Sequence, residues 1–69
     1  MPSVARDYEI SIAGRLGELA SAFAPHTVRE TGALSYVRVE QVDQAALFAV
    51  LGLVQELGLE LCEVRIVQV

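Results

Sequence analysis

The chain has 69 residues, a formal net charge of −4, a hydrophobic fraction of 54% and five arginines with no lysine. So little positive charge argues against non-specific binding to nucleic acid or to an anionic membrane surface. One small domain is expected over residues 1–69, of a size that buries only about 60% of its unfolded surface and so needs a supplement. Cys62 is the single cysteine, which excludes an intrachain disulfide, and one Cys with one His (His26) does not make a structural zinc site. Oligomerisation is the supplement that remains.

In chain order, residues 1–7 read as a flexible arm. Tyr8 to Ala13 (YEISIA) alternates, with Tyr8, Ile10 and Ile12 on one face and Glu9, Ser11 and Ala13 on the other, the pattern of a half-buried strand. Gly14 ends it. The spacing Leu16, Leu19, Ala20, Phe23 predicts a short amphipathic helix that Pro25 terminates. His26 to Glu30 is a short strand candidate, and Thr31-Gly32 is a hairpin turn. Leu34 to Gln41 (LSYVRVEQ) alternates again, with Ser35, Val37 and Val39 opposite Tyr36, Arg38 and Glu40.

Asp43 to Gly58 (DQAALFAVLGLVQELG) predicts a complete helix. Asp43 suits the N-cap, where its carboxylate meets the free amides of the first turn. Val42 and Leu47 have the spacing of a hydrophobic staple. Leu47, Val50, Leu51, Val54 and Leu57 form one apolar stripe, and Gly58 followed by Leu59 suits a Schellman ending. The other side of this helix is unusual. Ala45, Phe48, Ala49 and Gly52 lie away from the stripe, and Glu56 is the only charge between Gln44 and Gly58. Alanine is a good helix former and single exposed apolar residues are common. The absence of charge nonetheless favours a contact with a second copy of the chain. Cys62 to Gln68 closes the chain as a strand, with Cys62, Val64 and Ile66 inward and Cys62 a small buried hydrophobe.

The order β-α-β-β-α-β predicts an α+β fold of the ferredoxin-like type: an antiparallel four-stranded sheet with two helices on one face. The other face would carry Glu9, Ser11, Tyr36, Arg38, Glu40, Glu63 and Arg65. It reads as a solvated face with cross-strand ion pairs. As a ligand surface it would use Tyr36 for contact area and Arg38 or Arg65 for a carboxylate.

The stretch Val42-Asp43-Gln44-Ala45-Ala46-Leu47, the exit Leu57-Gly58-Leu59-Glu60-Leu61 and the strand pair Val64-Arg65 resemble a group of small uncharacterised actinobacterial α+β proteins. Members of that group carry His where this chain has Phe48. The resemblance implies a cytoplasmic α+β protein and brings no assigned activity.

No catalytic, cofactor-binding or metal-binding set emerges. His26 has no nucleophile and orienting carboxylate placed beside it by spacing, and Gly14 and Gly17 lack the rest of a phosphate-cradle pattern. Residues 1–7 lack the apolar core of a secretory leader, and Ala45 to Val54 is too short to span a bilayer. A reduced, cytoplasmic setting follows. The expectation is a non-catalytic homo-oligomer, a dimer, acting by protein contact or ligand sensing, with a protein partner as a further possibility. The alternative is a small enzyme or ligand-binding protein with its site on the open sheet face or at a subunit junction. One version of it exposes the amine of Pro2 as a general base, as in tautomerases of similar length.

Overall fold

A computed structural model describes residues 4–67. Four strands, β1 (Arg6–Ala13), β2 (Thr27–Thr31), β3 (Leu34–Val42) and β4 (Leu61–Val67), form one sheet in the order β2-β3-β1-β4 with every neighbouring pair antiparallel. A single α-helix, α1 (Gln44–Glu56), connects β3 to β4. The protein is α+β.

The ferredoxin-like β-α-β-β-α-β arrangement does not hold, because the sheet carries one α-helix and not two. The segment between β1 and β2 is a seven-residue 3-10 helix, Gly17–Phe23. Its first residue, Gly17, has a left-handed φ of 57°, a poor start for an α-helix. The tighter winding also changes what is buried. At 3.6 residues per turn Leu16, Leu19, Ala20 and Phe23 would share a face. At three per turn Ala20 and Phe23 stack inward, while Leu19 turns to solvent. Leu16 and Phe23 anchor the segment in the core.

β1 begins at Arg6, so Arg6 and Asp7 belong to the sheet and not to an arm. The remainder of the expected arm, including Pro2, lies outside the described residues, apart from Val4 and Ala5, which precede the strand. β2 and β3 meet through a two-residue Gly32-Ala33 turn, one position later than expected, with Thr31 paired to Leu34.

The helix has the ends that its sequence implies. Asp43 Oδ1 accepts from the Ala46 N–H at 2.9 Å. At the other end Leu59 N–H donates to Val54 C=O and Gly58 N–H to Gln55 C=O, with Gly58 at φ 71°. This is a Schellman closure, which satisfies carbonyls that would otherwise be orphaned.

Ile10, Ile12, Val37 and Val39 supply the sheet side of the core, and Leu47, Val50 and Val54 the helix side. Ser35 is fully buried among them, and its Oγ donates to Gly14 C=O at 2.7 Å, so the polar group costs little. The cover stops at β1. Val64 and Ile66 stand beside Ile10 and Tyr8 on the same face, yet are 37% and 44% exposed, as is Leu61 at 44%. Cys62 is exposed too, against the expectation of a buried small hydrophobe. The reasons are local. Neither α1 nor the 3-10 segment roofs β4, and the β1–β4 register slips between Ser11 and Ile12, which leaves Cys62 as an extra residue in the strand.

Candidate functional site

The strand alternation that sends Ile10 and Val37 inward turns a second set of side chains to the open face. Across it, Thr27, Arg38, Glu9 and Arg65 form one row, and Arg29, Tyr36, Ser11 and Glu63 the next. The three candidate ligand residues Tyr36, Arg38 and Arg65 therefore share this face. Thr27, Arg29 and Asp7, which carry no motif of their own, join them. Their signal was the period of two: Val28 points inward, so Thr27 and Arg29 point outward, and Asp7 continues the Glu9, Ser11 series.

Glu9 is the hub. Arg65 Nη2 donates to its Oε1 at 2.8 Å, and Arg29 Nη2 lies 3.8 Å from its Oε2. The Arg29 guanidinium also sits over the Tyr36 ring, 4.8 Å from the centroid, a cation–π contact. Asp7 has a different task. The β1–β3 register slips between Arg6 and Tyr8, and Gln41 adopts a left-handed φ of 53° there. Asp7 Oδ1 holds this bulge by accepting from Gln41 N–H at 2.8 Å and from its Nε2 at 3.2 Å. Arg38 Nη2 is 4.0 Å from Asp7 Oδ2, and its Nε is buried with no hydrogen-bond partner.

The charges are layered. The side chains of Asp7 and Glu9 are only 14% and 12% exposed, whereas Arg29 and Arg65 are each 64% exposed. The carboxylates of Asp7 and Glu9 lie against the sheet, those of Glu40 and Glu63 are exposed, and the guanidinium groups of Arg29 and Arg65 face out as donors to an incoming anion. Arg29, Arg38, Tyr36, Thr27, Glu9 and Glu40 line a shallow depression of about 240 Å³ here.

The other face carries the oligomer candidates. Ala45, Phe48, Ala49 and Gly52 are all exposed, Phe48 at 57%. They do not act as one patch. Ala49, with Ala46, Val50 and Leu53, borders an apolar depression of about 310 Å³ against Ala22, Phe23, Ala24 and His26. Phe48 and Leu51 lie on the opposite flank of α1, away from that depression, with Phe48 exposed and Leu51 packed against the core. His26 is half-buried at the rim of that depression. Among the described residues, no three of His, Cys, Asp and Glu cluster closely enough to hold a metal ion, and no helix is long and apolar enough to cross a membrane.

The fold and its two faces define a small α+β sheet protein with a layered charged surface on one side and an incompletely roofed apolar surface on the other. The chain belongs to the family described as Domain of unknown function (DUF8691), whose model matches residues 7–65. No curated protein and no solved structure matches it. Its function is unassigned.

Proposed function

We propose that the protein is a non-catalytic interaction module that works as a homo-oligomer, in the simplest case a dimer, in a reduced cytoplasmic setting. The observation that carries this reading is the unroofed strand: Leu61, Val64 and Ile66 are 37–44% exposed on the face where Ile10, Ile12, Val37 and Val39 are fully buried. A domain of this size has little apolar surface to leave in water. The exposed, unpaired Cys62 thiol agrees with a reducing compartment. The resemblance of Val42 to Leu47 to small actinobacterial α+β proteins belongs to the same reading.

Light scattering across the micromolar range tests it. The expected mass is twice the 7.5 kDa of one chain, falling towards one chain on dilution. A single-chain mass at every concentration would refute self-association. Phe48→Glu places a charge on the exposed, uncharged side of α1 and is expected to shift the equilibrium towards monomer.

A second reading is favoured by the outward-facing guanidinium groups of Arg29, Arg38 and Arg65: the open face takes a small carboxylate-bearing ligand or an acidic segment of a protein partner. Titration with a dicarboxylate, followed by amide NMR, is expected to move Thr27, Tyr36 and Arg38 together. No movement at millimolar ligand counts against it.

A further inference from the structure

We infer that two copies pair antiparallel along β4 about a two-fold axis at Val64, joining their sheets into one; this rests on the self-association proposed above and specifies its geometry. The two edges of the sheet differ. The β2 edge is five residues long, and its Glu30 is tied to the 3-10 segment by the Gly17 N–H at 3.0 Å and to Arg15 at 3.5 Å. The β4 edge is longer, is apolar on one face, and pairs only with β1 among the described residues. A bare edge of this kind, regular from Glu63 to Val67, is a template for another strand.

Its peptide groups are oriented for that pairing. Ala13 N–H donates to Glu60 C=O, so the odd-numbered residues of β1 turn their peptide groups towards β4. Glu63 and Arg65, opposite Ser11 and Glu9, therefore direct theirs to β1, and the N–H and C=O of Val64 and Ile66 point outward. An axis at Val64 lets this residue exchange backbone bonds with its counterpart in both directions.

The side chains identify the occupant as a second copy. Around Val64 the sequence is Glu63-Val64-Arg65. Antiparallel pairing on that centre sets Glu63 of each chain directly opposite Arg65 of the other, in the closer, non-hydrogen-bonded pairs of the ladder. Arg65 already bonds Glu9 at 2.8 Å, which holds it on the open face, and Glu63 has no ion-pair partner among the described residues. On the helix side, Val64 meets Val64 and Ile66 approaches the bulge at Cys62. The same strand is thus complementary to itself in charge and in apolar face.

A charge-swap experiment tests the register. Glu63→Arg alone and Arg65→Glu alone each set like charges across the seam, and each is expected to raise the dimer Kd at least tenfold. Mixed in equal amounts they restore opposite charges at both positions, and a heterodimer is expected by native mass spectrometry. Because Arg65→Glu also removes a bond to Glu9, Val64→Lys serves as the independent variant. Its side chain is exposed in the single chain, so circular dichroism should match the wild type while light scattering shows a monomer. A wild type that dimerises, with Val64→Lys dimerising equally well or no heterodimer in the mixture, would overturn the edge pairing and leave self-association to another surface such as the Ala45–Gly52 side of α1. A wild type that is monomeric throughout would overturn both.

Discussion

Ile10 and Val64 are cross-strand partners on one face of the sheet, and only one of them has a roof. That contrast yields a measurable asymmetry. Ile10→Ala empties a fully enclosed site, and truncations of this kind cost about 2–5 kcal/mol. A domain of this length has a total stability of roughly 3–10 kcal/mol at about 0.05–0.15 kcal/mol per residue, so the variant should lose a large share of it. Val64→Ala removes about two methylene equivalents, worth about 1.6 kcal/mol if wholly buried at ~0.8 kcal/mol each. Since Val64 is 37% exposed, the single chain should lose about 1 kcal/mol. Pairing at β4 would bury the rest, about 0.6 kcal/mol per chain, and across a two-fold the truncation then weakens association close to tenfold. Urea unfolding followed by far-ultraviolet circular dichroism, at concentrations below and above the dimer Kd, separates the two contributions. If Val64→Ala in dilute solution costs as much as Ile10→Ala, then β4 is covered within the single chain, and the argument from an unroofed strand is wrong.

Two further outcomes are expected. Asp43→Ala loses the cap on the Ala46 N–H and should cost about 1 kcal/mol, with a drop in helical signal at 222 nm; an unchanged unfolding midpoint would mean that packing alone sets the helix start. Glu9→Gln releases Arg29 and Arg65 on the open face, where the guanidinium partners are mostly solvated, so the loss should stay within about 1 kcal/mol and shrink as salt is added. A loss that salt leaves untouched would show that Glu9 acts by packing and not by charge.

The elements legible in the sequence are those whose cause is local. Asp43, the 47-50-54 stripe and Gly58 write the start, face and stop of α1 within one stretch of chain, because capping and helical period depend on near neighbours. Alternation in β3 and β4 likewise assigns Tyr36, Arg38 and Arg65 to the open face. The 3-10 segment was illegible for the opposite reason. Its spacing fits an α-helix, and only the anchoring of Leu16 and Phe23 in the core, with Gly17 at a left-handed φ, selects the tighter winding.

By itself, the amino-acid sequence determined that the chain makes a charged sheet face, an apolar sheet face and one well-capped helix, and that no covalent staple completes it. Where that helix lies across the sheet was decided only in three dimensions. Roofing depends on which strands the helix spans, a relation between distant residues that no local period encodes. Val64 and Ile66 alternate like core residues and would be core residues under a wider roof; in this fold the same alternation leaves them on an open edge, and the bulge sets Leu61 in place of Cys62 opposite Ile12.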